Sequence, residues 1–200
     1  MFHAIPARIE QRMEHLEAID RTDRQDGTLK QARLRQVPPE TGRFLALMAS
    51  LAPPGPMLEI GTSGGYSSMW LSLACRQAGR QLTSHEVLPE KIAIARETVR
   101  LAGIEAYVRL IEQDGLEALR AADEVAFLFL DADKDRSMAY LELIGSRLVP
   151  GGLFLADNAI SHRDKMERMI QAAASDPDLD SIIVPIGKGV LVCRRVGNMA

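Results

Sequence analysis

The run Val125-Ala126-Phe127-Leu128-Phe129-Leu130 does most to limit what this chain can become. It holds six consecutive apolar residues, leaves no polar face for solvent, and ends at Asp131. Such a run suits a strand covered on both sides, which is the condition of a parallel sheet in an α/β protein. The same pattern repeats along the chain beyond Pro56. Strand Met57–Ile60 leads to a helix over Tyr66–Ala78, stopped by Gly79. A strand over 81–87 leads to a helix opened by Pro89 and closed by Gly103, with Ile92, Ala95 and Val99 turned inward. A strand over 106–111 precedes a short helix over 116–121, and Val125–Leu130 precedes a helix over 138–148. Pro150-Gly151-Gly152 leads into a strand over 153–156, followed by a helix over 163–174 and strands over 181–185 and 190–195. Repeated β-α units predict a doubly wound parallel sheet with right-handed crossovers and helices on both faces. The last two strands have no helix between them, so one of them enters antiparallel.

The first 52 residues contain no strand pattern. Ile9, Met13, Leu16 and Ile19 mark one face of a helix over 7–19, the polar stretch 20–27 is a loop, and the basic stretch 29–37 takes no assignment. Pro38-Pro39 stops any preceding helix. A new one begins near Glu40 with Phe44, Leu45, Met48 and Leu51 as its apolar face, and Pro53-Pro54-Gly55 ends it. The expectation is one domain over 1–200, a helical preface (1–52) on an α/β core (56–196). A net charge of −3 gives no reason to expect nucleic acid as a partner. No stretch has the length of a transmembrane helix, and the N-terminus lacks the apolar core of a signal peptide. Cys75 and Cys193 lie in apolar segments without metal-like spacing, as reduced, buried thiols would in a cytoplasmic protein.

In doubly wound sheets, ligands bind beyond the carboxyl ends of the strands. Those ends carry Glu59 with the turn Gly61-Thr62-Ser63-Gly64-Gly65, then Glu86, Asp114, Asp131 and Asp157-Asn158, so one rim collects the acids. A glycine-rich turn opening a helix binds nucleotide-like ligands through its free backbone N–H groups. Ser63 occupies the second glycine of a dinucleotide fingerprint, which disfavours a pyrophosphate ligand and hence a nicotinamide oxidoreductase. Glu59 would repel a phosphate and suits the sulfonium and ammonium of S-adenosylmethionine, directly or indirectly. Glu86, 25 residues past Gly61, is either a solvated strand-end acid or the acceptor of both ribose hydroxyls. His85 beside it is a packed or exposed histidine. Gln113-Asp114-Gly115 either reaches an adenine edge or caps the next helix.

Asp131, Asp157 and Asn158 at the ends of adjacent strands either offer three hard oxygen ligands, suited to Mg²⁺, Mn²⁺ or Ca²⁺ rather than zinc, or are a turn at 157–158 and a helix cap in the acidic run. Asp131, Asp133, Asp135 and Glu142 also fit the ligand spacing of an EF-hand loop, but Arg136 stands where that loop needs glycine and an apolar strand precedes it. Lys134, three residues past Asp131, is either a surface lysine or a general base beside a cation.

Three segments in order, Leu58 to Ser67, Asp131-Ala132-Asp133-Lys134, and Gly151-Gly152 to Asp157-Asn158, resemble the cation-dependent O-methyltransferases, which include catechol and caffeoyl-CoA O-methyltransferases. Gln36-Val37-Pro38-Pro39-Glu40-Thr41-Gly42-Arg43-Phe44-Leu45 resembles the segment these proteins place before their first strand, and the likeness runs from about Arg35 to Arg195. The resemblance implies a seven-stranded, Rossmann-like S-adenosylmethionine-binding sheet with its last strand antiparallel. It implies Asp131, Asp157 and Asn158 as ligands of a divalent cation, most often Mg²⁺, and Lys134 as catalytic base. Glu86 would hold the ribose, while Val37, Glu59, Gly61 and Ser67 would line the methionine end. Asp114 and Gly115 would lie by the adenine, and Asp131 would border the cofactor as well as the metal. The implied reaction moves a methyl group to a hydroxyl of a small vicinal dihydroxy aromatic, in a protein that is commonly a homodimer. Relatives carry a longer loop after the Asp-Asn pair. Here Ala159 to Asp164 passes almost directly into a helix, leaving the acceptor site open or covered by a partner subunit. The competing expectations are a methyltransferase for a non-catechol acceptor and a non-catalytic or regulatory S-adenosylmethionine-binding protein, against the latter of which the retained Lys134 and Asp-Asn pair count.

Overall fold

The computed structural model describes residues 1–29 and 32–197. Lys30 and Gln31, within the unassigned basic stretch, and 198–200, at the end of the expected domain, lie outside the described residues. Seven strands form one sheet: β1 (Met57–Ile60), β2 (Leu82–Glu86), β3 (Val108–Glu112), β4 (Val125–Leu130), β5 (Leu148–Asp157), β6 (Leu179–Val184) and β7 (Val190–Arg195). Their order is β3-β2-β1-β4-β5-β7-β6. The first five strands pair in parallel, and β7 runs antiparallel between β5 and β6, as the missing helix before it requires.

The apolar run of β4 shows why the sheet is covered on both faces. Phe127 and Phe129 belong to a core shared with α1 (Ala7–Asp23), α2 (Pro39–Leu51), α3 (Tyr66–Ala78) and α4 (Pro89–Ala102). Leu128 and Leu130 belong to the opposite core, with α5 (Gly115–Ala121), α6 (Ser137–Gly145) and α7 (Arg163–Ser175). Strand alternation thus divides one continuous hydrophobic run between two layers.

Three details depart from the sequence reading. Helix α1 continues to Asp23 instead of stopping at residue 19, because Arg24 pairs with Asp20 and the Thr22 hydroxyl bonds the Ala18 carbonyl, which extends the last turn. Helix α2 does not bury the expected Leu51, which is 74 % exposed; its buried side is Thr41, Gly42, Leu45, Ala46 and Ala49. Closeness decided the face: a Cβ on Gly42 would run into the Trp70 ring of α3. Helix α6 stops at Gly145, and residues 148–152, expected as helix end and turn, open strand β5. The pairing passes from Val125↔Leu148 to Phe127↔Leu153, so the extra residues form a bulge that Gly151, at φ 77°, accommodates.

Candidate active site

The strand order reverses between β1 and β4, and the carboxyl ends of β2, β1, β4 and β5 lie in a row there. That is the crevice where such sheets hold ligands. Gly61 leaves β1 at φ 99°, and a Cβ on it would collide with the Asp131 carbonyl oxygen at the end of β4. Its glycine character is therefore set by the neighbouring strand. The N–H groups of Gly61 and Thr62 both bond the backbone carbonyl of His85. The His85 ring itself is buried, with Nδ1 unpartnered among the described residues, and burial, then Arg109, pushes its pKa down. Ser63 adopts φ 48°, a left-handed backbone uncommon for a residue with a side chain. Two bonds hold it there: its N–H donates to Glu86 Oε2 at 2.8 Å and its hydroxyl to the Leu34 carbonyl at 2.7 Å.

Glu86 closes the loop around this turn. Its Oε1 accepts from the N–H groups of Val87 and Leu88, at 2.8 and 3.0 Å, so its two oxygens carry three backbone bonds. A carboxylate has about four acceptor positions, which leaves one for an incoming hydroxyl in this arrangement. Glu59 lies deeper, fully buried. Its Oε2 accepts from Ser68 of α3 and from Ser84 of β2 at 2.6 Å, while Oε1 has no partner among the described residues. Burial pushes its pKa up, the hydroxyls of Ser67, Ser68 and Ser84 oppose that shift, and Asp131 adds to it. Val37 is buried against the same core as Leu34, at the entry to α2.

Asp114 takes the capping alternative. Its carboxylate accepts from the N–H groups of Leu116 and Glu117 at the start of α5 and forms a two-pronged pair with Arg136 at 2.6 and 3.0 Å. The Arg136 guanidinium holds the Asp114 pKa below its usual value. Gly115 is a packing glycine, since a Cβ would strike Ile60 and crowd the Tyr140 hydroxyl.

On the other side of the crevice, Lys134 Nζ donates to Asp131 Oδ1 at 2.7 Å, from a short 3-10 turn that directly follows β4. A strand thus enters the Asp131–Asp135 segment, where an EF-hand would need a helix. Asp157 at the end of β5 is 1 % exposed, and among the described residues neither carboxylate oxygen has a well-aligned hydrogen-bond partner. Burial first, then the charge of Asp131, pushes its pKa up to about 7, while Lys134, the nearby Asn158 backbone N–H and Lys188 act against the shift. Asn158 turns the chain at φ 72° and donates its amide to Ser161 Oγ at 3.3 Å. Among the described residues no three of His, Cys, Asp and Glu converge as a metal cluster. The oxygen set here is two carboxylates and one amide. Its two orphaned, buried carboxylate oxygens fit a hard cation, because leaving a buried carboxylate without donors or counter-charge is otherwise costly.

The family described as O-methyltransferase matches residues 11–196. The chain belongs to it. This family comprises the S-adenosylmethionine-dependent O-methyltransferases of the catechol and caffeoyl-CoA type. Catechol O-methyltransferase of Mycobacterium tuberculosis is 28 % identical over 158 residues, covering 72 % of this chain and 71 % of that protein. Caffeoyl-CoA O-methyltransferase 2 of Populus trichocarpa is 26 % identical over 182 residues, covering 78 % and 73 %. The crystal structure of the O-methyltransferase from Bacillus cereus in complex with SAH has the same fold, with TM-score 0.77, 22 % identity and coverage of 92 % and 90 %. In this O-methyltransferase the structure adds residues that sequence reasoning passed over. Ser68 and Ser84 hold Glu59, Arg136 locks Asp114, and Lys188 lies close enough to act on Asp157. One signal was available for Ser68, a hydroxyl in a helix segment whose neighbours Met69, Trp70 and Leu71 are all apolar.

Proposed function

We propose that the chain transfers the methyl group of S-adenosylmethionine to one hydroxyl of a vicinal dihydroxy aromatic, with a divalent cation held by Asp131, Asp157 and Asn158. The observation that carries this reading is Asp157, buried with both oxygens unpartnered beside the Lys134–Asp131 pair. When bound, a divalent cation lowers the pKa of a hydroxyl that it contacts. Lys134 is the group that takes the acceptor's proton on Nζ; it is mostly buried and tethered to Asp131, so its position is restricted. The O–CH₃ bond forms as the S–CH₃ bond breaks, and the sulfonium becomes the neutral thioether of S-adenosylhomocysteine. The closed turn 61–65, clasped by Glu86, supplies a rigid seat for the nucleoside, and Glu59, buried behind Ser68 and Ser84, acts indirectly at the methionine end. Val37, Gly61 and Ser67 border that end. Asp114 and Gly115 act on the adenine side by shaping the start of α5.

The relatives named for catechol and caffeoyl-CoA support a small aromatic acceptor. We assign this activity to a single domain in a reducing, cytoplasmic setting, consistent with two buried free cysteines. The exposed Leu47 and Leu51 of α2 offer an apolar surface for a homodimer. The test is methyl transfer from labelled S-adenosylmethionine to a catechol panel. Activity that disappears with EDTA, returns with Mg²⁺ and is lost in Asp131→Ala is the expected result. Unchanged turnover in EDTA overturns the metal assignment, and cofactor binding with no turnover on any acceptor favours a regulatory binding protein.

A further inference from the structure

Lys91 is a buried cation with no part in the chemistry above. It is 3 % exposed in the first turn of α4, the third residue after the N-cap Leu88. A positive charge there opposes the helix dipole, and burial pushes its pKa down. Helix stability therefore does not explain the residue. Its hydrogen bonds do: Nζ donates to the backbone carbonyls of Ala32 and Arg33, at 2.6 and 2.7 Å. These carbonyls belong to the segment that runs through Leu34 to Val37, 58 and 59 residues away in sequence.

The same segment is fastened at two further points. Ser63 donates its hydroxyl to the Leu34 carbonyl, and the Leu34 N–H donates to Asp23 Oδ2 at 3.2 Å at the end of α1. The Leu34 side chain is buried against the glycine turn, so that a Cβ on Gly64 would approach Leu34 Cδ2 to 3.0 Å. Residues 32–37 thus form a strap across the turn that seats the nucleoside. Its fastenings come from α1, the turn itself and α4, the helix that directly follows Glu86.

We propose that Lys91 is a positioning residue for cofactor binding: its ammonium pins the 32–37 strap onto the 61–65 turn and so sets the affinity for S-adenosylmethionine. The inference rests on the cofactor reading above. An unpinned strap must be ordered at the moment of binding, and that cost falls on cofactor affinity. The chemical step, at Lys134 and Asp157 on the other side of the crevice, is left unaffected.

The test uses Lys91→Met, which keeps an unbranched apolar stem and removes the donors. S-adenosylhomocysteine affinity is measured by calorimetry, and KM for S-adenosylmethionine and kcat are measured on an acceptor that the wild type turns over. Hydrogen bonds from a charged group are strong enough that affinity should fall on the order of tenfold, with KM for the cofactor rising in step. At saturating cofactor kcat should stay within about twofold, because no transition-state contact is lost. Asp23→Asn, which weakens a second fastening of the strap, at the Leu34 N–H, should shift affinity in the same direction by less. Lys91→Arg, which keeps the charge and the donors, should restore part of it. Thermal melting of each variant verifies that it folds. Unchanged affinity in a folded Lys91→Met protein overturns the inference while leaving the cofactor reading intact. So does a fall in kcat with KM unmoved. A Lys91→Met protein that fails to fold shifts the decision to Asp23→Asn, whose unchanged affinity also overturns it. Absence of any S-adenosylhomocysteine binding by the wild type overturns the cofactor reading and, with it, the role of the strap.

Discussion

Replacing Asp157 with asparagine should stabilise the metal-free protein at pH 8. The carboxyl is buried, lacks a hydrogen-bond partner on either oxygen, and has its pKa pushed from 3.8 up to about 7 by burial and by Asp131. A folded-state pKa above the unfolded value means that the folded state holds the proton more tightly. The stability this proton contributes is fully present below pH 4 and is lost as pH rises through about 7. A tenfold difference in proton affinity between folded and unfolded states is worth about 1.4 kcal/mol, so the full effect is on the order of 4 kcal/mol, and the part falling between pH 5 and pH 8 is on the order of 2–3 kcal/mol. Glu59, whose pKa is also raised by burial, changes stability in the same direction, but it is present in both proteins and drops out of the comparison. Urea unfolding in EDTA at pH 5 and pH 8 measures the difference. The wild type should lose stability over this interval by more than Asp157→Asn does, and the variant should be the more stable of the two at pH 8. Parallel pH profiles would refute the claim that Asp157 is a buried carboxylate waiting for a counter-charge.

Gly61→Ala forces a side chain into φ 99° and against the Asp131 carbonyl; a loss of at least about 2 kcal/mol in urea unfolding is expected, and wild-type stability would contradict the packing described for the turn. Asp114→Ala removes the cap of α5 and should cost about 1 kcal/mol in the same assay. Because its carboxylate is already committed to the cap and to Arg136, S-adenosylhomocysteine affinity should change by less than about threefold. A much larger loss would mean that Asp114, by direct contact or through the start of α5, contributes more to adenine binding than this commitment allows. Phe127→Ala, at the centre of β4 and fully buried, should lower stability by about 3–5 kcal/mol, measured by urea unfolding. A cost below about 1 kcal/mol would show that this side chain lies outside the close-packed core.

The fold was legible from the sequence wherever one residue's neighbours in space repeat at a fixed interval. The apolar run of β4 and the glycine stops of α3 and α4 are local signals, and these elements fall where the sequence places them. The apolar face of α2 was misread because the approach to Trp70 selects small residues, and nothing within the α2 segment announces that ring. The bulge that extends β5 answers to the register of β4, more than twenty residues earlier in the chain. The site divides in the same way. Acids at strand ends are visible as soon as the strands are, so Glu59, Glu86, Asp131 and Asp157 could be gathered on one rim in advance. Their partners could not. Glu86 is satisfied by the N–H of Ser63 and Asp114 by Arg136, 23 and 22 residues away, and Lys91 by carbonyls nearly sixty residues back. Contacts at such separations leave no trace in local pattern. They decide which acids are already committed within the protein and which retain unpartnered oxygens, as Asp157 does.

The measurement that bears most directly on the central claim is binding of Mn²⁺ to the protein carrying S-adenosylhomocysteine, followed by electron paramagnetic resonance at pH 8, with Asp157→Ala as the comparison. One ion bound per chain in the wild type, and none at the same concentrations in a folded Asp157→Ala protein, is the predicted result. Absence of binding by the wild type, or equal binding by Asp157→Ala, would contradict it.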